Sequence, residues 1–174
     1  MESYSKIDQL RGVILTIFLN FFGCQIGKNL ICTHWPLFRR LPIKNLSIGN
    51  NTKIGKEIHL EPLPNGRISI GNDCILEENI IISSGAEIII GDNVSLGKNL
   101  TIRDDNHNIK LGEPIYTQGS NYKPVHINEG VIVENNCCIL QGSNIPAGAK
   151  IKRNSVVSIK SNLREHNSYQ GIPV

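Results

Sequence analysis

Residues 48–60, IGNNTKIGKEIHL, carry an aliphatic residue at every sixth position. The three aliphatic residues are Ile48, Ile54 and Leu60, and Gly follows the first two of them. A period of six agrees neither with the 3.6-residue period of an α-helix nor with the two-residue alternation of a strand. It is typical of a triangular solenoid, in which each hexapeptide forms a short strand and a turn, and three hexapeptides complete one coil.

The same period recurs over most of the chain. Further aliphatic triplets occur at Ile70, Leu76 and Ile82; at Ile90, Leu96 and Ile102; at Ile127, Val133 and Ile139; and at Ile145, Ile151 and Val157. These side chains are expected to point into the solenoid and to stack on their equivalents one coil away. The residue four positions later also points inward near a corner and must be small, as at Thr52, Cys74, Val94, Cys137, Ala149 and Ser155. The pattern predicts at least five coils, and residues 26–30 begin another.

The composition supports this all-β interpretation. The chain has 174 residues, enough for one domain of ordinary size, and it is 40% hydrophobic but only 5% aromatic. Gly and Asn recur between the aliphatic residues, where they suit turns that need positive φ. The formal net charge of +3 is too weak for a nucleic-acid-binding stripe, and no recognition motif for nucleic acid occurs. No nucleic-acid partner is expected.

The five cysteines are an odd number and form no CxxC pair. A disulfide framework is therefore not expected. Cys74 and Cys137 fall on the small inward position of the repeat, which favours reduced cysteines that serve as core residues of a cytoplasmic protein.

The stretch VILTIFLNFFG, residues 13–23, is the only long apolar run. It is too short to span a bilayer, which needs about 20 residues, and no small-x-small cleavage site follows it. We predict that residues 1–25 form a helical cap over one end of the solenoid. The alternative is a peripheral membrane contact through residues 13–22, which would place the protein at the inner face of the membrane.

The repeat is interrupted once, after the polar segment IRDDNH at residues 102–107. Residues 108–124, NIKLGEPIYTQGSNYKP, lack the period and are rich in Gly, Pro and polar residues, which predicts an extruded loop. The period resumes at Ile127 and continues to Val157, so the solenoid is predicted over residues 26–160. Residues 161–174 are polar and are expected to form a loop-like tail over the other end.

These features resemble the hexapeptide-repeat acyltransferases. The resemblance covers residues from about 26 to the end and is carried by IGDN at residue 90, by the His-bearing segment 102–107 and by the closing YQGIPV. Within the family, the chain looks most like O-acetyltransferases that act on bacterial surface polysaccharides or their precursors. The resemblance implies a left-handed parallel β-helix, a homotrimer with active sites between subunits, acetyl-CoA as the acyl donor and a carbohydrate acceptor.

The resemblance also implies catalytic residues. His107, at the root of the loop, is the expected general base, since a neutral imidazole can take the proton of an attacking sugar hydroxyl. Asn79 lies 28 residues before it, in the place of an Asn that could donate to the oxyanion or orient the acceptor. Asp105 could orient the imidazole or bind sugar hydroxyls, whereas Asp104 and Asn106 are weaker candidates.

Acetyl-CoA is expected along the groove between subunits, over the C-terminal coils. The positions that match the family's binding residues are Asn135, Gly142, Ser143, Arg153, Ser158 and Lys160. The basic residues among them could meet phosphates, and Gly142 would let the pantetheine arm approach the backbone. Two family segments differ here: the usual WIG is IVE at residues 132–134, and the usual GAG is KRN at residues 152–154. The missing Trp removes a packing surface beside the active site and bears on the class of acceptor.

Three alternative functions are compatible with a solenoid of this kind, and the sequence bears on each of them. The same base and groove could serve N-acetylation of an amino sugar or nucleotide amino sugar. Metal-dependent carbonic anhydrases share the fold but need two histidines five residues apart, a spacing that does not occur among the five histidines here, so no metal is expected. A non-enzymatic β-helix scaffold would explain the repeat but not the His-bearing motif beside a loop.

Overall fold

The computed structural model describes residues 5–39 and 44–174. Residues 1–4 of the predicted cap and residues 40–43 of the predicted solenoid lie outside the described residues. The helix α1 (Lys6–Phe21) precedes a triangular solenoid with three sheet faces. Face A contains β1 (Gln25–Ile26), β3 (Leu46–Ile48), β6 (Arg67–Ile70), β9 (Glu87–Ile90), β14 (Val125–Ile127) and β17 (Asn144–Ile145).

The other two faces are built in the same way. Face B contains β2 (Ile31–Cys32), β4 (Lys53–Ile54), β7 (Ile75–Leu76), β10 (Ser95–Leu96), β15 (Ile132–Val133), β18 (Lys150–Ile151) and β20 (Ser168–Tyr169). Face C contains β5 (Ile58–Pro62), β8 (Ile80–Ser84), β11 (Leu100–Arg103), β16 (Cys138–Ile139) and β19 (Val156–Val157). A separate pair, β12 (Asp105–His107) and β13 (Ser120–Tyr122), projects from the solenoid. The predicted left-handed parallel β-helix is confirmed.

The six-residue period sets the register between coils. Ile70 pairs with Ile90 on face A, and Ile90 pairs in turn with Ile127, although the interruption lies between them in sequence. The aliphatic residues of the repeat are almost completely buried and form one continuous core. The predicted small inward residues are also buried, namely Thr52, Cys74, Val94, Cys137, Ala149 and Ser155.

Asparagines stack along the corner that joins face B to face C, which we call the B–C corner. Asn79, Asn99, Asn136 and Asn154 all have positive φ, between 52° and 61°, a conformation that Asn tolerates better than most residues. Each side-chain amide donates to the next side-chain oxygen, at distances from 2.9 to 3.1 Å. This ladder fixes the corner from coil to coil.

The helix α1 closes the N-terminal end of the solenoid, as predicted. Ser5 and Asp8 form a reciprocal capping box that satisfies backbone donors at its start. Leu15 and Leu19 are buried in the solenoid core, and a Cβ at Gly12 would lie 1.8 Å from the Leu30 carbonyl oxygen. The helix therefore covers an open strand edge that would otherwise favour aggregation.

The C-terminal tail departs from the sequence prediction. Residues 161–174 were expected to be loop-like, but β20 pairs in parallel with β18 and extends face B by one strand. The backbone N–H of His166 donates to the Ala147 carbonyl, and the Val174 N–H donates to the Val156 carbonyl. The sequence did not predict this strand because its side chains are mostly polar. A terminal strand can be held by backbone hydrogen bonds with few inward aliphatic residues.

Candidate active site

A hairpin projects from the corner at which the chain passes from face C to face A of the next coil, the C–A corner. The antiparallel register pairs Asp105 with Tyr122 and His107 with Ser120. Residues 108–119 connect the two strands and contain a 3-10 helix, Ile115–Thr117. The predicted interruption is therefore an ordered hairpin at its base, and His107 lies in its first strand.

The tip of the hairpin exposes apolar side chains. Leu111 is 100% exposed, and Ile109, Ile115 and Tyr116 are all more than half exposed. Gln118 holds the tip together by donating to the carbonyl groups of Lys110 and Glu113. The tip thus has internal order but an apolar surface that a neighbouring molecule could cover.

His107 is exposed, and its Nδ1 lies 3.2 Å from the Ser120 hydroxyl oxygen. With the proton on Nδ1, the imidazole donates to Ser120 and Nε2 carries the lone pair. In that tautomer Nε2 can accept a proton from a bound hydroxyl or amine. The hairpin therefore presents a base outward from the C–A corner.

Asp104, which the sequence ranked as a weak candidate, is fully buried beneath this base. Its carboxylate accepts hydrogen bonds from the Ser84 hydroxyl at 2.8 Å, from the Gly85 N–H at 2.7 Å and from the Ala86 N–H at 2.9 Å. Its carbonyl accepts from the Lys123 N–H at 2.8 Å. Asp104 therefore ties both ends of the hairpin to the coil below.

A second contact holds the hairpin from the side. The ring of Tyr122 packs directly on Gly85, so that a Cβ at Gly85 would lie 2.0 Å from the ring atom Cε1. Only a glycine leaves room for this ring. Tyr122 also pairs with Asp105 in the hairpin register, and the position of the ring is thereby linked to the strand that carries His107.

The other two predicted catalytic residues lie in different surroundings. The Asp105 carboxylate pairs with Arg103 at 3.3 Å. Asn79 belongs to the asparagine ladder of the B–C corner, whereas His107 follows the opposite end of face C. Since Asn79 neighbours Asn99, and Asp104 comes five positions after Asn99, the two corners lie roughly 16 Å apart at about 3.3 Å per residue. Within one chain, the structure does not bring Asn79 and His107 together.

Four of the six residues predicted to bind CoA lie along the C–A corner, on the side of the hairpin toward the C-terminus. The Gly142 N–H donates to the Lys123 carbonyl at 3.0 Å, which connects this corner to the base of the hairpin. Ser143 is buried as a whole; its hydroxyl donates to the Leu140 carbonyl, and its own carbonyl accepts from the His126 N–H, so within one chain it presents no group to a ligand. Ser158 accepts from the Lys160 N–H in the following coil. His107, Gly142 and Lys160 therefore follow one another along the C–A corner, in successive coils.

The remaining two residues lie on the B–C corner. A shallow groove of about 300 Å³ follows this corner, and its lining includes Glu134, Asn135 and Arg153. The Asn135 side-chain oxygen accepts from the Lys98 N–H at 2.9 Å, while the Arg153 side chain is 73% exposed beside Glu134. A hydrogen bond from Lys150, followed by one from the Arg153 N–H, lowers the pKa of the Glu134 carboxyl. The groove thus contains a fixed negative charge between two cations.

The cysteines near the site are poor nucleophiles. Burial raises the pKa of both the Cys137 and Cys138 thiols. Thiols with raised pKa values stay protonated at neutral pH, and the thiolate is the reactive form. Among residues 5–39 and 44–174, no group of three His, Cys, Asp or Glu side chains is arranged to hold a metal ion.

Shortening the hairpin tests whether its tip contributes to the stability of the solenoid. We expect that replacing residues 109–118 with Asn-Gly, which forms a tight two-residue turn, changes the free energy of unfolding by less than about 1 kcal/mol. Residues 108 and 119 already approach each other, since the Asn108 N–H donates to the Gly119 carbonyl at 3.1 Å. Urea denaturation followed by circular dichroism measures this. Global unfolding of the variant would mean that the tip is part of the core.

Neither a search with protein-family models nor a search of curated proteins found a match. Solved structures do match. AntD, an N-acyltransferase from Bacillus cereus crystallised as a variant with dTDP and coenzyme A, superposes with a TM-score of 0.68 at 19% identity; the match covers 99% of this chain and 88% of AntD. AntD has also been solved with dTDP and 3-hydroxybutyryl-CoA, at a TM-score of 0.66, 18% identity, and 99% and 87% coverage.

A second protein gives the same result. The hexapeptide-repeat-containing acetyltransferase VCA0836 from Vibrio cholerae matches with a TM-score of 0.62 at 22% identity, over 97% of this chain and 78% of its own. At such identities the likeness concerns the path of the backbone, and it agrees with the repeat seen in the sequence. The protein has the left-handed β-helix fold of the hexapeptide-repeat acyltransferases.

Proposed function

We propose that the protein is an acyl-CoA-dependent acyltransferase that acetylates a carbohydrate hydroxyl, with His107 as general base. The observation that carries the proposal is the outward presentation of His107 on a hairpin anchored by a buried carboxylate. A scaffold protein would have no need to position an exposed imidazole in this way. The fold shared with AntD and VCA0836 supports acyl transfer as the reaction class.

The proposed chemistry is a direct transfer. Nε2 of His107 accepts the proton of the acceptor hydroxyl as its oxygen attacks the thioester carbonyl. The C–O bond forms, the C–S bond breaks, and the imidazolium returns the proton to the departing thiolate. The Ser120 hydroxyl, 3.2 Å from Nδ1, would orient the imidazole for this step, and the raised pKa values of the Cys137 and Cys138 thiols favour a route without an acyl-cysteine.

The two groups of predicted CoA residues suggest a site with two walls. In a homotrimer of parallel prisms, the C–A corner of one subunit would face the B–C corner of the next. Gly142 and Lys160 would then contribute one wall, and Asn135 and Arg153 the other. The exposed apolar tip of the hairpin supports such an assembly, because a neighbouring subunit would cover it. The proposal places this trimer in the cytoplasm, where acyl-CoA is formed.

The nature of the acceptor atom is a second part of the proposal. The sequence resemblance favours a hydroxyl of a surface polysaccharide or its precursor. N-acylation of a nucleotide amino sugar is the alternative, and a specific observation favours it: AntD, an N-acyltransferase, has been crystallised with dTDP-4-amino-4,6-dideoxyglucose and coenzyme A. The two products differ chemically, since hydroxylamine cleaves an acetyl ester but leaves an acetamide intact.

Calorimetric titration with acetyl-CoA tests the donor. We expect saturable binding with one site per chain, weakened roughly 3- to 30-fold by Arg153→Ala, because a charged hydrogen bond to phosphate would be lost. Arg67→Ala is the matched control, since Arg67 is also exposed beside a glutamate, on face A. Absence of binding at millimolar acetyl-CoA would contradict the proposal. Equal affinity of both variants would remove only Arg153 from the site.

A hydroxylamine-treated acceptor screen then distinguishes the two chemistries. Purified protein is incubated with acetyl-CoA and matched pairs of nucleotide sugars that carry either a hydroxyl or an amine at the same carbon. A product that loses its acetyl group in hydroxylamine supports O-acetylation. A product that keeps the group supports the N-acetyl alternative, and His107 keeps the same role in both cases.

A further inference from the structure

The helix α1 has a second apolar face that the solenoid does not cover. Along one side it exposes aliphatic and aromatic side chains at helical spacing: Ile7, Leu10, Ile14, Ile17, Phe18 and Phe21. Ile17 is 67% exposed and Phe21 85% exposed, which are large values for such side chains. We call these six residues the helix stripe. Contiguous exposed apolar surface of this kind usually marks an interaction site.

The helix stripe faces along the axis of the prism and not toward its sides. At 100° per residue, the stripe is centred opposite the buried face formed by Gly12, Leu15 and Leu19. Leu15 and Leu19 enter the solenoid interior at its first coil, so the stripe faces away from the prism along its long axis. Prisms packed side by side would leave it exposed. Trp35, half exposed in the first coil, adds an aromatic side chain at this end.

The excess of positive charge lies in the N-terminal part of the chain, which contains the helix stripe. Residues 1–54 contain seven Lys and Arg but two Asp and Glu, whereas residues 55–174 contain eleven Lys and Arg and thirteen Asp and Glu. The first part is therefore +5 and the rest −2, although the whole chain is only +3. Among the described cations, Lys6, Lys28 and Lys44 are exposed around the helix and the first coils. An apolar stripe with a basic surround is complementary to an anionic lipid surface.

We propose that α1 binds the surface of a membrane that contains anionic lipids, with the helix stripe in the interface and the solenoid axis upright. The helix has 16 residues and is about 24 Å long, less than the roughly 30 Å of a bilayer core. Among the described residues, no helix is long and apolar enough to cross a membrane. The stripe therefore lies on the membrane, and this binding is independent of the proposed acyl transfer.

Vesicle flotation of the full-length protein tests the proposal. The probes are vesicles of equal parts phosphatidylglycerol and phosphatidylethanolamine, and vesicles of phosphatidylcholine alone. We expect the protein to float with the anionic vesicles, with binding at least about tenfold weaker on phosphatidylcholine or at high salt. Ile17→Glu and Phe21→Glu should each weaken binding at least about tenfold, because each places a charge in the interface. Ile172→Glu is the matched control, since Ile172 is 75% exposed at the opposite end of the chain.

The outcomes separate a lipid surface from a second copy of this protein as the occupant of the stripe. Flotation that the two helix variants lose and Ile172→Glu keeps supports the lipid surface, provided that all variants retain the wild-type circular dichroism and melting temperature. Absence of flotation, together with a wild-type mass by light scattering that is twice the mass of the Ile17→Glu variant, overturns the proposal in favour of end-to-end pairing with a second copy of this protein. Absence of both flotation and self-association through the stripe overturns the proposal outright.

Discussion

Replacing His107 with Ala lowers the rate of acyl transfer by about 10²- to 10⁴-fold, the usual contribution of a general base. The effect should fall mainly on kcat, because in the proposed mechanism the imidazole acts on the proton of the acceptor in the transition state and contributes little to ground-state binding. Steady-state kinetics with the acceptor found by the screen measures this. The fold should be unchanged, since His107 is exposed and projects from the solenoid on a hairpin.

Two further variants test whether a loss of activity in His107→Ala is specific to this imidazole. His126→Ala removes another exposed histidine, on β14 of face A, and should leave the rate within about twofold of wild type. Ser120→Ala removes the hydroxyl that lies 3.2 Å from Nδ1 and should lower the rate by a smaller factor than His107→Ala, because the imidazole loses a contact that orients its ring. Near-normal turnover of His107→Ala would remove His107 from the mechanism.

Replacing Asp104 with Ala should destabilise the protein by about 3–5 kcal/mol, because the buried Ser84 hydroxyl and the half-buried Gly85 and Ala86 N–H groups lose their shared acceptor. A hydrogen bond to a charged group contributes about 1.5–3 kcal/mol, and water can partly replace the acceptor for the two half-buried N–H groups. The hairpin loses its attachment to residues 84–86, so turnover should also fall at temperatures at which the variant is folded. Urea denaturation gives the stability change, and kinetics below the melting transition gives the rate.

The adjacent acid supplies the matched control for this change. Asp105→Ala breaks a partly exposed ion pair with Arg103 and should cost less than about 1 kcal/mol of stability. Asp104→Asn keeps one acceptor oxygen but directs an amide N–H toward backbone donors, and its stability should lie between those of Asp104→Ala and wild type. Equal effects of Asp104→Ala and Asp105→Ala would contradict the structural role of Asp104.

The sequence predicted the solenoid because its signal is repeated. Inward residues such as Ile48 and Ile54 recur at a period that only one architecture explains, and each coil places the same types of residue at the same buried positions. The hairpin strands were missed for the opposite reason. Asp105–His107 and Ser120–Tyr122 are short and polar and pair with each other outside the core, so no hydrophobic alternation marks them.

Individual polar residues were harder to interpret than the repeat. Asp104 and Asp105 are adjacent acids in a polar segment, yet one is fully buried beneath the hairpin and the other pairs with Arg103. Nothing local distinguishes them, because burial of Asp104 depends on donors about 20 residues earlier. Asn79 shows the same difficulty: a turn asparagine and an active-site amide have the same sequence signature, and only the positive φ and the ladder reveal the turn.

The hairpin insertion also bears on how the chain assembles. Successive coils join residues about 20 apart, as in the contact between Asn79 and Asn99, but the step across the hairpin joins Lys98 to Asn135, 37 residues apart. Loop-closure entropy grows only with the logarithm of length, so the longer step costs about 0.5 kcal/mol more than its neighbours. Growth of the solenoid can therefore proceed coil by coil through this point in either direction. Insertions of very different length at this corner should be compatible with rapid folding, so the surface above His107 can vary while the coils beneath it stay the same.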